Sequence, residues 1–171
     1  MNTKTQQITL IALFLALCIV VPILFHVVGA GAMFLPMFVP IILAAFMIEF
    51  PQAILVGLLG PWLSAFVTGM PPLFPTALIM TVEGATAAGI VSYLYHKKEW
   101  SFWGCLILGI IAERIALVIM GFIIAPLFDL PGELFSIYKL IESLPGVFLQ
   151  LILIPIILKV LWKLNIVNQK S

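Results

Sequence analysis

Three ionisable side chains lie inside apolar stretches of this sequence, where a charge is costly. Glu83 is the second-last residue of the proline-rich stretch FVTGMPPLFPTALIMTVEG (66–84). Glu113 and Arg114 are neighbours in a later apolar run. At about 1.5 Å per helical residue, all three lie near the middle of a bilayer. An ionisable group at that depth costs about 2.5–3.5 kcal/mol or more unless it is paired or hydrated. We therefore predict an ion pair between Glu83 and Arg114.

This pair has two interpretations, a structural clamp between helices and the polar floor of a ligand cavity. The sequence favours neither. Neighbouring residues on a helix point about 100° apart, so we do not expect Glu113 and Arg114 to contact the same partner equally well.

Composition places these residues in a membrane protein. The chain has 171 residues, of which 64% are hydrophobic and 9% charged, with a mean hydropathy of +1.28. Soluble domains average about 45–50% apolar and about 25% charged residues. A net charge of +1 gives no basic field for nucleic acid. Cys18 and Cys105 both fall in apolar runs, so we interpret them as buried hydrophobes and expect no disulfide, metal site or cofactor.

The fold class expected from this pattern is an all-α integral membrane protein, a single domain (1–171) with six transmembrane helices. The predicted segments are 8–25, 34–50, 52–67, 73–95, 102–128 and 141–162. A span needs about 20 apolar residues. The second and third segments are short and punctuated by Pro36, Pro40 and Pro51, so they are either two thin spans or a re-entrant hairpin. Both alternatives leave the sidedness of the other segments unchanged.

Lysines set the predicted orientation, because cytoplasmic loops are rich in Lys and Arg. With six spans, three groups of lysines fall on one side: Lys4; Lys97 and Lys98; and Lys159, Lys163 and Lys170. Both termini are therefore predicted to be cytoplasmic. The opposite side carries Lys139 alone.

A stiff loop precedes the helix of Glu83 on the predicted outer side. Thr68, Gly69, Met70 and Pro71 form this loop with a second proline, and proline lowers the entropy lost when a loop is ordered. We interpret it as a wall or lid over an outward cavity, the alternative being a plain tight connection. The glycine-rich stretch GAGA (29–32) is its flexible counterpart.

The remaining candidate residues lie near the same side or deeper. Phe34 and Met37 add apolar surface, and Gln150 lies within the sixth segment. Lys139 has a competing structural interpretation, pairing with Glu142 on one helix face. The full predicted ligand-binding set is Phe34, Met37, Thr68, Gly69, Met70, Pro71, Glu83, Arg114, Lys139 and Gln150.

Small residues mark candidate helix contacts. Ala12 and Ala16 lie four apart in LIALFLALCI, and small residues at this spacing let helices approach closely in lipid. Gly57 in the third segment and Gly84 in the fourth offer further small surfaces.

Several motifs are absent from the sequence. It contains no Gly-x-x-x-x-Gly-Lys-Ser/Thr phosphate loop, so this chain does not hydrolyse ATP through such a loop. No nucleophile–base arrangement is recognisable either, and we predict that the chain is not an enzyme.

With these motifs, the chain resembles the substrate-binding S components of energy-coupling factor (ECF) vitamin transporters. The resemblance rests on Ala12-x-x-x-Ala16, FHVVGAGAMFLPMFVPIILAAF (25–46), TGMPPLFP (68–75) followed by Glu83, and SLPGVFLQLILIPIIL (143–158). It implies six helices and a vitamin or vitamin precursor bound near the outer face of the cell membrane. It also implies a transmembrane coupling subunit, which Ala12 and Ala16 would face, and two cytoplasmic ATPases.

The resemblance does not name the vitamin. Pantothenate ranks first, because Arg114 or Lys139 would bind its carboxylate. Glu83 or Glu113 is an equally suitable partner for the buried cation, which would leave no need for an anionic ligand. Cobalamin and a hydroxymethylpyrimidine-like ring are the other candidates. A stand-alone secondary transporter or channel is the main alternative function, and a structural membrane protein is the third.

Overall fold

The computed structural model describes residues 4–27, 29, 34–129 and 137–163, and all regular structure in these ranges is helical. A six-residue helix, Ile137–Glu142, leads into the last long helix. The long elements are α1 (Lys4–Val27), α2 (Phe38–Met47), α3 (Gln52–Thr68), α4 (Leu78–Ser92, extended by π-helical turns Leu73–Ala77 and Tyr93–Lys97), α5 (Phe102–Leu127) and α6 (Leu144–Lys163).

The predicted six-helix count is confirmed. Four helices are long and apolar enough to cross a membrane: Lys4–Val27, Leu73–Lys97, Phe102–Leu127 and Leu140–Lys163. The others, α2 and α3, are shorter. Within the described ranges the chain therefore has the architecture of a multi-pass membrane protein.

One predicted boundary was wrong. The second helix begins at Phe38 rather than at residue 34, because Leu35 takes a positive φ of 46° that interrupts the helix. The last predicted segment, 141–162, corresponds to the apolar helical stretch Leu140–Lys163, within which α6 begins at Leu144. Pro145 then lies in its first turn, where a missing N–H is tolerated.

Contacts between aromatic rings define the two ends of the bundle. Phe46 of α2 lies 5.0 Å from Tyr95 and 5.0 Å from Phe102, and Phe102 lies 5.4 Å from Trp162 (ring centroids). We call this the Lys97 end, because α4 finishes there. At the opposite end, the Met70 end, Phe74 before α4 lies 4.8 Å from Phe128 after α5.

The segment 34–46 runs from one end to the other. Its first residue, Phe34, lies 6.0 Å from Phe25 at the end of α1, and its backbone packs against Gly146 at the start of α6. Its last residue, Phe46, is at the Lys97 end. A re-entrant hairpin would enter and leave on one side, so the structure agrees with a thin, partly irregular span.

Helix α2 occupies the core of the bundle. All its residues from Phe38 to Phe46 are buried, and it contacts α1, α3, α4 and α6. Its ten residues extend for only about 15 Å, half of a bilayer core of about 30 Å. Backbone groups at its ends therefore need partners from the protein.

Helix α4 supplies partners at the carboxyl end of α2. The Ser92 hydroxyl donates to the Ile48 carbonyl at 2.9 Å, and Nε2 of His96 lies 3.2 Å from the Ala45 carbonyl oxygen. These are carbonyls that the end of a helix leaves without an intrahelical partner. These contacts hold α4 against the carboxyl end of α2.

Helix α1 is peripheral by comparison. Only Phe14, Cys18 and Pro22 of its residues are buried, and Ala12 and Ala16 are both exposed. Helix α5 also turns an apolar stripe outward, with Ile107, Ile111, Ile115 and Ile119 exposed at intervals of four. Apolar side chains on the outside of the bundle suit contact with lipid.

The predicted small-residue surfaces of α3 and α4 face each other. A Cβ on Gly57 would overlap the backbone of Gly84, and a Cβ on Gly84 would lie 3.1 Å from the Gly57 carbonyl oxygen. The two helices therefore approach as closely as their backbones allow, which is the packing that small residues permit in membranes.

We expect Gly57→Ala to lower the free energy of unfolding by about 1–3 kcal/mol, because the new methyl group meets rigid backbone. Gly89→Ala is the matched control on the same helix pair, since its Cβ would make ordinary contact with Ile54 at 3.4 Å. Thermal unfolding in detergent measures both. Equal melting temperatures for the two variants would contradict this close packing.

Candidate ligand site

The charged residues singled out from the sequence meet inside the bundle. Glu83 comes from α4, Glu113 and Arg114 from α5, and Gln150 from α6. Arg114 Nη2 contacts Glu113 Oε1 directly and lies 3.8 Å from Glu83 Oε1. The predicted Glu83–Arg114 ion pair is thus present, and Glu113 is the closer carboxylate.

The contact between Glu113 and Arg114 was not expected, because neighbours on a helix point apart. The long arginine side chain bends back across this angle, so the guanidinium reaches the carboxylate of the preceding residue. The Glu113 carboxylate also accepts a hydrogen bond from Gln150 Nε2 at 3.4 Å. Glu113 therefore links α5 to α6.

Arg114 connects this cluster to the Met70 end. Its Nη1 donates to Ser143 Oγ at 3.1 Å, and the Ser143 hydroxyl in turn donates to the Leu140 carbonyl at 2.8 Å. The Phe38 ring at the start of α2 lies 5.7 Å from Arg114 Cζ, a cation–π distance. The guanidinium thus bridges the beginnings of α2 and α6.

The cluster is buried and carries an excess of negative charge. The side chain of Glu113 is 0% exposed, that of Glu83 4% and that of Arg114 15%. Two carboxylates and one guanidinium give a formal charge of −1 when all three are ionised. A low dielectric strengthens each interaction here and raises the cost of any imbalance.

The loop after α3 is held by its own hydrogen bonds. The Ser64 hydroxyl donates to the Met70 carbonyl at 2.8 Å, and the Met70 amide donates to Thr68 Oγ1 at 3.1 Å. Gly69 has a φ of 74°, a left-handed conformation that favours glycine, and closes the helix by donating to Ala65 O. Pro71 is half-buried and Met70 is exposed. Thr68 therefore fixes the loop that presents Met70.

The other predicted ligand residues are more scattered. Phe34 is half-buried beside Phe25, whereas Met37 is only 2% exposed and belongs to the core. The side chain of Lys139 lies outside the described residues, and so does its predicted pairing with Glu142. Of the stretch 29–32, only Gly29 is described, with a φ of 72°.

Sequence reasoning missed two members of this site. Ser143 and Phe38 contact Arg114, yet neither was singled out as a ligand residue. Ser143 had a usable signal, since serine just before a Leu-Pro pair is typical of a helix start. Phe38 adds aromatic surface next to the predicted Met37, but its position in an apolar run does not distinguish it as a partner of Arg114.

An open apolar groove of about 390 Å³ lies along α4 beside Phe50, toward the Lys97 end. It contains none of the predicted ligand residues. Its lining residues are Phe50, Ala85, Thr86, Gly89, Ile90, Tyr93 and Leu94.

Comparison with known proteins gives one result. Residues 6–166 match the family model described as "ECF transporter, substrate-specific component". No curated protein and no solved structure is significantly similar to the chain.

We expect Arg114→Gln to destabilise the protein by about 3–5 kcal/mol, because two buried carboxylates would lose the cation beside them. Adding Glu113→Gln should recover part of this loss by removing one of the charges. Thermal unfolding of the purified single and double variants measures both effects. Glu49→Gln, at an exposed carboxylate, is the control and should melt like the parent. Unchanged melting of Arg114→Gln would show that the cluster contributes no stability.

Proposed function

This chain belongs to the family of substrate-specific components of ECF transporters, and we propose that it captures a vitamin or vitamin precursor at the Met70 end. The substrate then passes inward with the help of a separate coupling subunit and ATPases. The observation that supports this most is the polar cluster of Glu83, Glu113, Arg114 and Gln150, which reaches the start of α6 through Ser143. A polar floor enclosed by apolar helices suits a site that must orient a small molecule.

The proposed orientation places the Met70 end outside the cell and the Lys97 end in the cytoplasm. Helix α4 ends in Lys97, and Trp162 near the end of α6 lies 5.4 Å from Phe102, so Lys163 lies at the same end. Lysines concentrate on the cytoplasmic side of membrane proteins. The stiff loop around Met70 and Pro71 then faces the substrate as it arrives.

Partners are proposed on two grounds. The family match supports separate ATPases, and in this proposal two cytoplasmic ATPase subunits supply the energy for uptake. The coupling subunit binds at the exposed face of α1 that carries Ala12 and Ala16. Small side chains on an exposed helix face leave room for a second helix to approach closely in lipid.

Several vitamins fit the general proposal. Pantothenate was favoured by the sequence because of Arg114, but this guanidinium already contacts Glu113 and Ser143, so a carboxylate would compete with them. Cobalamin and a hydroxymethylpyrimidine-like ring are the other candidates. A stand-alone secondary transporter or channel is the alternative to an ATPase-dependent subunit.

The function predicts that the purified chain binds a vitamin alone but transports it only within an ATPase complex. Native mass spectrometry and a panel of vitamins test binding, and proteoliposome uptake with and without ATP tests transport. Uptake by the lone chain without ATP would support the alternative function.

Labelling of Met70→Cys by an impermeant maleimide in intact cells tests the orientation, because the native Cys18 and Cys105 are buried.

We expect Ala12→Trp or Ala16→Trp to abolish assembly with the coupling subunit while ligand affinity stays within about twofold. The indole would hold the two helices apart where a methyl group allows contact. Ile115→Trp is the control, since Ile115 is also an exposed apolar residue but lies on α5, away from the α1 face that carries Ala12 and Ala16. Pull-down of the reconstituted complex measures assembly. Normal assembly of both alanine variants would place the interface elsewhere.

A further inference from the structure

The polar cluster contains buried atoms that have no hydrogen-bond partner within the protein. Three are acceptors: Glu83 Oε1, Glu113 Oε2 and Gln150 Oε1. One is a donor, Arg114 Nε. A buried polar atom left without a partner costs about 1–3 kcal/mol, and native proteins keep few of them. Four at one place mark a site whose hydrogen bonds are to be completed by another molecule.

These acceptors come from different helices. Glu83 lies on α4, Glu113 on α5 and Gln150 on α6, and all three side chains are at least nine-tenths buried. Gln150 is held in position because its Nε2 already donates to Glu113 Oε1, which leaves its carbonyl oxygen unused. The arrangement is therefore a fixed set of oxygen atoms rather than a solvated acidic surface.

The excess of negative charge in the cluster is consistent with its excess of unpartnered hydrogen-bond acceptors. When all three are ionised, Glu83 and Glu113 carry two formal negative charges and Arg114 one positive charge, while Gln150 is neutral. A ligand group that donates hydrogen bonds or carries positive charge would satisfy the acceptors and offset the excess. The described residues form no group of three His, Cys, Asp or Glu able to hold a metal ion.

A carboxylate ligand fits the same site poorly. It would bring further acceptors and a second net negative charge to a buried cluster. Among the described residues of the cluster, the cation that would meet it is Arg114, whose Nη1 donates to Ser143 and whose Nη2 contacts Glu113. Only Nε of that guanidinium has no partner. An anion would therefore have Nε as its one unpartnered donor on this guanidinium, and a bidentate contact would require displacing Glu113 or Ser143.

We propose that the substrate class of this site is an uncharged or cationic small molecule that bears N–H donors, such as an amino-heterocycle or an amine. This inference rests on the proposed substrate-binding function. The donors bind the free oxygens of Glu83, Glu113 and Gln150. Arg114 Nε donates to one acceptor of the same molecule, such as a ring nitrogen. The molecule reaches the cluster past Arg114, the most exposed of its charged side chains.

Matched pairs of vitamins and precursors test this substrate class. The purified full chain is titrated with nicotinamide and nicotinate, with pyridoxamine and pyridoxine, with pantothenate, and with 5-hydroxymethyl-2-methylpyrimidine carrying either a 4-amino or a 4-oxo group. We expect the tightest ligand to be a donor-bearing compound. Its donor-poor counterpart should bind about 10- to 100-fold more weakly, the range for losing a hydrogen bond to a charged group.

Two variants connect the preference to the cluster. Glu83→Gln and Gln150→Leu should each weaken binding of the donor-bearing ligand about 10- to 100-fold. Glu83→Gln should also reduce the difference in affinity between this ligand and its donor-poor counterpart. Glu49→Gln and Gln52→Leu make the same exchanges away from the cluster and should leave affinity unchanged. If one cluster variant does not fold, the other still tests the inference.

Two results would overturn the proposal, and they differ in what else they contradict. Tightest binding of pantothenate or nicotinate, unaffected by Glu83→Gln, would refute the donor-bearing class while the substrate-binding function stands. Failure of every compound to bind would contradict the proposed function itself, and the substrate class with it.

Discussion

In lipid, polar groups must find their partners within the protein, and helix α2 imposes this requirement on the whole bundle. Its ten residues are too few to cross a bilayer as a helix, and an irregular stretch around Leu35 precedes it. Such backbone is tolerated at membrane depth only where protein surrounds it. Four other helices accordingly enclose α2, and Ser92 and His96 of α4 lie against its terminal carbonyl groups.

The central position of α2 determines how the remaining helices pack. Helix α4 approaches the core closely. It meets α3 at Gly84 and Gly57, which have no side chains to keep the two helices apart. Helix α1 is left at the periphery with most of its surface exposed. The result is a bundle whose outside is apolar and whose polar groups are concentrated inside, as a protein surrounded by lipid requires.

The polar cluster follows from the same geometry. Arg114 reaches Ser143 because α6 begins beside the irregular stretch that precedes α2, where Gly146 packs against the Phe34 backbone. A side chain on Gly146 would meet the Phe34 carbonyl oxygen at 2.8 Å. The glycine therefore allows the approach that brings Gln150 within reach of Glu113. Packing around the thin span and the chemistry of the candidate site are consequences of one arrangement.

The sequence by itself determined that this is a multi-span membrane protein with three costly charges at mid-depth, because composition and the lengths of apolar runs are local, additive properties. It also identified Glu83 and Arg114 as partners, since each needed a countercharge at that depth. Only the tertiary structure decided that Glu113 is the closer carboxylate, that α2 begins at Phe38, and that Ser143 and Gln150 join the cluster. For Ser143 and Gln150 the physical reason is distance along the chain. Arg114 and Ser143 are 29 residues apart, and Gln150 and Glu113 are 37 apart, so their meeting depends on how whole helices pack rather than on any local pattern.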